Sequence, residues 1–280
     1  MLLRAKLVTV ATSRPFPRFI GNGVRNFAVT QQCLANAEAK LAASGLPFVK
    51  AFKTSDHRNT KMFCAQCSQH NQDCTISVGN CKKTPQVANL QDEMMKLAKE
   101  IGYYAHAVRG MGKTVPNHID RGTLICIFAT LTNVNNDATR FTKYKRHGRA
   151  CVEELKYLCG PRVTAPVLPD ASILAQREAA PDANASSLCE MLAYGIKGVA
   201  AYADHAAVFG KEDQKIYAFI HEALSFLTSP ERHDPSKALE MCLRCGEANL
   251  WTMDLLYQAN TTLGIPEPTE VQVKSVEGKC

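Results

Sequence analysis

Four cysteines crowd one short stretch: Cys64, Cys67, Cys74 and Cys81 fall within eighteen residues, spaced C-x2-C-x6-C-x6-C. No other feature limits the fold so strongly, because four thiolates this close can saturate one metal centre while ordering little further chain. A zinc ribbon or finger usually carries two close pairs separated by a longer loop, and this stretch has one pair. Iron–sulfur ligation more often combines one close pair with single cysteines. The spacing therefore favours an iron–sulfur cluster over zinc, and zinc over redox or free thiols.

The net charge of +7 suggests a nucleic-acid partner until its distribution is read. Residues 1–61 hold ten Lys and Arg against Glu38 and Asp56, a net of +8, while the remainder nets −1. The body is nearly neutral, so no phosphate-backbone partner is expected. No acid precedes Glu38, and Arg4, Lys6, Arg14, Arg18 and Arg25 are scattered among Leu, Val, Ala and Thr. That is the composition of an organelle transit peptide; a basic N-terminal helix that stays on the protein is the alternative. The expected location is an organelle matrix, mitochondrion over plastid, or the cytoplasm if translation starts at Met62. A reducing matrix makes twelve cysteines metal ligands or buried thiols rather than disulfides. No apolar run is long enough to span a membrane.

The rest reads as all-α: two small helical bundles, an N-terminal Cys-rich loop and one terminal strand. Leu90, Met94, Leu97, Ala98 and Ile101 recur at helical spacing behind Thr84 as N-cap and Pro85 as first helical residue. Further helices are expected over 138–158, 187–209 and 212–227, and from Pro235 to about Thr262. Gly210 is placed to end the second of these. In the last, Leu239, Cys242, Leu243, Gly246, Leu250 and Met253 carry the periodicity. A proline-rich loop over 160–186 separates two helical groups, 34–43 is an ambiguous helix, and only 271–276 alternates like a strand.

These residues resemble a known family. Met62-Phe-Cys-x2-Cys with the next two cysteines, Asn89-Leu-Gln-Asp92, Thr130-Leu-Thr-Asn-Val-Asn135, Tyr194-Gly-Ile-Lys-Gly-Val-Ala-Ala-Tyr202 with His205, and Pro268-Thr-Glu-Val-Gln-Val-Lys274 before Gly278-Lys-Cys280 are similar, in order, to hybrid-cluster proteins. These are also called prismane proteins or hydroxylamine reductases.

The resemblance covers about residues 62–280 and implies a helical domain over 62–268, with 269–280 as the start of an α/β domain; residues 1–61, by their composition, are leader and linker. It implies that Cys64, Cys67, Cys74 and Cys81 ligate a [4Fe–4S] cluster, favoured over [2Fe–2S]. It further implies that electrons pass from an electron-donor protein through this cluster to a second, hybrid iron–sulfur–oxygen cluster. There hydroxylamine becomes ammonia and water, and some members reduce nitric oxide. That centre belongs to following domains, so no catalytic residue is expected among these 280 residues. The partners implied are the donor and a small nitrogen-oxide substrate, with no nucleic acid and no membrane. A stand-alone, non-catalytic iron–sulfur or zinc-binding module is the alternative. The chain departs from the family in its cysteine intervals and in Lys82, where a Gly usually follows the fourth cysteine.

Other motifs are weaker. Gly110-Met-Gly-Lys-Thr114 lacks the first P-loop glycine, since position 107 is Ala. His221-Glu222 lacks the second His of a zinc-protease motif, since position 225 is Ser. Cys242 and Cys245 lie one helical turn apart and read as core packing before metal ligation. Cys126, Cys151, Cys159 and Cys189 read as buried small hydrophobes.

Overall fold

The computed structural model describes residues 64, 74, 78, 79, 81–131, 136–166 and 181–262. The ambiguous 34–43 helix and the 271–276 strand lie outside them. The described residues form six α-helices and no strand: α1 (Pro85–Gly110), α2 (Asn117–Phe128), α3 (Ala138–Cys159), α4 (Ala183–Val208), α5 (Gln214–Phe226) and α6 (Pro235–Thr262). A 3-10 turn, Pro230–His233, precedes α6. None is long and apolar enough to cross a membrane.

Most of the helices start where a short polar side chain stands in for the missing preceding turn. Thr84 accepts from the amide of Val87 at 3.4 Å, with Pro85 first in α1. Asp137 accepts from Thr139 at 2.8 Å, Asp182 from Ala185 at 2.7 Å and Asp213 from Lys215 at 2.8 Å. Asp182 starts α4 four residues before the expected 187. Gly210, at φ +80°, ends it as expected.

Helix α2 is the element that periodicity misses. It enters from Pro116 with no side-chain cap. It buries Asp120 and Thr123 beside Ile119, Leu124, Cys126 and Ile127, so no clean polar face marks it.

Helix α1 lies at the centre, packed on α3 along one side and α5 along another, with α2 at its end. Met94, Ala98 and Ile101 are fully buried along it. Although α5 follows the 160–186 loop in sequence, its chief neighbour is α1. Helices α4 and α6 form a second tight pair, joined to the first group through α2 and α5. One continuous apolar core runs through both groups.

In α6 the apolar stripe that reveals the helix faces outward: Leu239, Leu243, Leu250 and Met253 are exposed. The face against α4 is made of small or slender residues, Ala238, Met241, Cys245, Ala248 and Thr252. Their size lets the helices approach until a Cβ at Gly195 would stand 2.6 Å from Cys245 Sγ.

A polar network runs from this interior to the surface at Gln214. Arg109 Nη2 donates to Asp120 Oδ1 at 2.8 Å and to Gln214 Oε1 at 3.0 Å, and Gln214 Nε2 donates to Asp120 Oδ2 at 3.0 Å. Arg109 Nε faces His221 Nδ1 at 3.5 Å, and Thr123 Oγ1 lies 3.2 Å from His221 Nε2. Burial, the Arg109 charge and His106 hold His221 neutral, its pKa lowered to about 3. Burial and then His118 lower His147 to about 4, against the pull of Glu154.

Two outcomes follow from this packing. At Gly102 a Cβ would stand 2.3 Å from Leu224 Cβ, an atom fixed to the α5 backbone. Gly102→Ala is expected to destabilise by about 1–3 kcal/mol despite alanine's better helix propensity, read as a lowered midpoint in urea. His147 and His221 are neutral when folded and titrate near 6.5 when unfolded, so stability is whole above that value and falls as pH drops toward 4. Each histidine contributes up to about 1.4 kcal/mol per pH unit. His147→Gln should remove about half of that combined slope in urea titrations between pH 6.5 and 4; an unchanged slope would contradict the assignment.

Candidate metal centre

The cysteine stretch leads straight into α1, so the turn that ends it is anchored on the most enclosed helix. Gly79 C=O accepts from the amide of Lys82 at 2.7 Å, and Gly79 N–H donates to Lys83 C=O at 3.0 Å. This closed turn carries Cys81 at its tip. The Cys64 amide donates to the Cys74 carbonyl at 3.0 Å and ties the start of the stretch to its middle.

Gly79 is buried between two of the thiols. A Cβ there would lie 3.4 Å from Cys74 Sγ and 3.6 Å from Cys81 Sγ. The missing side chain thus leaves room beside both sulfurs, and these residues fit a thiolate-bound cluster. Cys67 lies outside the described residues. Among those described, no three His, Cys, Asp or Glu side chains are gathered as a ready site for a single ion.

Two lysines join the thiols. Lys83 is completely buried, and its Nζ donates toward Cys64 Sγ at 3.5 Å. Lys197, from α4, is 4% exposed. Burial, first of all, pulls the Lys197 ammonium down to about 8; Asp92 and Cys64 oppose this, while Lys83 and Lys99 add to it. Lys99 is likewise pulled down to about 8, by burial and then Arg232, with Cys189 and Asp92 opposing. Sequence reasoning missed Lys83, Lys197 and Asp92 as site residues. The signal was present, since Asp92 closes the Asn89–Asp92 motif and Lys197 sits inside the Tyr194–Tyr202 motif.

The other cysteines are elsewhere in the fold. Burial pushes Cys126 up to about 12 and Cys245 up to about 11, so both are protonated packing groups. Cys242 Sγ donates to Leu188 C=O at 3.3 Å and Cys189 Sγ to Arg232 C=O at 3.3 Å. Cys151 and Cys159 are buried, as expected. The remaining motifs are structural too. Lys113 donates to Leu158 C=O at 2.7 Å, Glu222 pairs with Arg244 at 2.6 Å, and Asp204 beside His205 pairs with Arg121 at 3.3 Å.

The profile of the prismane/CO dehydrogenase family matches residues 62–280. The chain belongs to that family. A hydroxylamine reductase of Maridesulfovibrio salexigens is 41% identical over 232 residues, covering 78% of this chain and 43% of the relative. One from Rhodospirillum rubrum is 35% identical over 244 residues, with 78% and 44% covered. One from Salmonella newport is 34% identical over 247 residues, again with 78% and 44% covered. This prismane-family chain therefore spans less than half the length of the curated relatives it matches. The family's binding of iron–sulfur clusters accords with the soft donor set of the cysteine turn.

Lys82, the residue after the fourth cysteine, has φ +63°, a left-handed conformation that glycine adopts without the Cβ penalty. This prismane-family turn keeps the glycine backbone with a lysine in it. Lys82→Gly should therefore raise stability by about 0.5–1 kcal/mol with cluster retention unchanged, whereas Lys82→Val should lower both. Thermal midpoints and iron content of the two variants check this.

Proposed function

We propose that this chain is the electron-transfer portion of a hydroxylamine reductase of the hybrid-cluster type, with Cys64, Cys67, Cys74 and Cys81 as cluster ligands. The observation that carries the reading is the convergence of Cys74 and Cys81 on the space beside Gly79, with Cys64 tied to Cys74. The four thiolates would hold an iron–sulfur cluster, [4Fe–4S] before [2Fe–2S], which supplies one-electron transfer when bound. The chain's own residues do the rest. Cys74 is buried and Gly79 leaves the sulfurs uncovered by a side chain, so the bundle shields the thiolates from water on one side. Cys64 and Cys81 remain partly exposed, which leaves the centre within reach of an electron-donor protein.

Reduction of hydroxylamine to ammonia and water, and of nitric oxide, belongs in this reading to a hybrid-cluster portion of the family outside the helical domain. Residues 1–61 serve as an organelle transit peptide and linker, directing the protein to a mitochondrial matrix in preference to a plastid.

The test is metal content. The chain produced anaerobically should carry iron and acid-labile sulfide, with broad visible absorption that bleaches on reduction. Cys74→Ser should lose most of its iron while Cys242→Ser keeps it, because Cys242 is engaged with α4 instead. A colourless protein with one tightly held zinc, or equal losses in the two variants, would overturn the assignment.

A further inference from the structure

We propose that the outward face of α6 is a docking surface for a helix of a separate protein, one whose apolar heptad seam is flanked by lysine or arginine. This surface is independent of the cluster assignment, and neither test decides the other.

Leu239, Leu243, Gly246, Leu250, Met253 and Tyr257 follow one another at intervals of 4, 3, 4, 3 and 4 residues, the repeat of a coiled-coil seam. The face against α4 keeps the same repeat in Ala238, Met241, Cys245, Ala248, Thr252 and Ala259. Helix α6 thus carries two seams on opposite sides, and α4 fills the one made of small residues. The other is open: Leu243, Leu250 and Tyr257 are 68%, 67% and 68% exposed. Single apolar side chains on a surface mean little, but a row of them about 27 Å long on one helix marks an interface. A Cβ at Gly246 would meet nothing within 4 Å, which leaves a notch in the middle of the row for a partner's side chain.

Charge selects the occupant. In the open seam Leu239, Gly246 and Met253 take the d positions, which puts Glu240, Glu247 and Asp254 at e, one acid per heptad along a single flank. All three are exposed. Arg244 lies within electrostatic range of Glu240 and Glu247, but both its Nη atoms are held by Glu222, at 2.7 and 2.6 Å. A second copy is a poor match. Antiparallel, it would set one acid row against the other; parallel, it would set the acids against Cys242, Asn249 and Leu256 at g. The chain's other segments match no better. Among residues 1–61 the cations from Arg4 to Arg25 are interrupted by Pro15, Pro17, Gly21 and Gly23, and the unbroken stretch 24–44 has Arg25 and Lys40 against Glu38. The stretch from Phe48 to Lys61 is basic but shorter than the row, and it opens into the cysteine stretch. The 160–186 loop has two cations against three acids, and 263–280 has two lysines behind Gly264, Pro266 and Pro268. A separate helix with a basic row at e or g answers both the seam and the acids.

The experiment titrates the full chain with two synthetic helical peptides as long as α6, both with Leu at a and d, one with Lys and the other with Glu at e and g. Like charges on both flanks keep each peptide from pairing with itself. Calorimetry should show the Lys peptide binding at least about tenfold more tightly than the Glu peptide. Leu243→Asp with Leu250→Asp should abolish binding although it adds negative charge, which a merely ionic attraction would not do. Glu240→Lys, Glu247→Lys and Asp254→Lys together should reverse the preference. All these positions are exposed, so the variants should keep the parent's helical circular dichroism. If the aspartate pair does not, Leu243→Gln with Leu250→Gln takes its place. Equal affinity for the two peptides, no binding by a monomeric chain, or binding untouched by the leucine changes would overturn the proposal. A dimer in sedimentation equilibrium that the leucine changes dissociate would overturn it in favour of a second copy.

Discussion

Helix α1 is approached most closely by its neighbours where a side chain is absent. Gly102 lets Leu224 of α5 rest on the α1 backbone, and Gly148 of α3 receives Leu97 in the same way on another side. At Gly102 an added carbon would overlap Leu224 Cβ, which is fixed to the α5 backbone, so there helix spacing is set by contact rather than by average hydrophobicity. The consequence reaches the cysteine turn. Thr84 caps α1 immediately after Lys83, so the turn inherits the position of the most tightly held helix. The left-handed backbone angle at Lys82 lies between a candidate ligand and this anchor. A strained residue persists there because both its flanks are fixed.

Much of this arrangement was legible in the residues. Five of the six described helices are readable from apolar spacing, and Thr84, Asp137 and Gly210 mark their ends as such residues should. Helix α2 was not legible, because its buried face holds Asp120 and Thr123, whose place inside depends on Arg109, Gln214 and His221 elsewhere in the chain. A periodicity rule counts those polar residues as outward. The opposite error arises in α6, where Leu239, Leu243, Leu250 and Met253 reveal the helix yet face outward. Large apolar residues identify a helix, but small ones identify its closest interface, and Gly195 against Cys245 is such a contact. At the candidate centre the cysteines announce themselves, whereas Lys83 and Lys197 do not. A lysine in sequence carries the expectation of solvent, and only the fold reverses it.

Among the described residues the interior holds two groups of buried charge, and they differ in how they are balanced. In the first, Arg109 meets Asp120 directly, Gln214 bridges both, and neutral His221 closes the network through Thr123. Burial raises the Asp120 pKa, with Arg109 and Gln214 pulling against it, and the groups of this network come from the helices themselves. Such a network, paired within the helices and reaching solvent at Gln214, specifies packing. The second is the pair of enclosed lysines: Lys83 has no exposed surface and its Nζ donates toward Cys64 Sγ at 3.5 Å, and Lys197 is 4% exposed, its ammonium pulled down to about 8, by burial first. Burying an ammonium group is costly unless a partner of opposite charge is at hand. A thiolate at Cys64 would be such a partner for Lys83, and Lys83 is itself held in place because the cap of α1 follows it directly. The first group is therefore balanced within the helices, whereas the balance at Lys83 depends on the state of the cysteine turn.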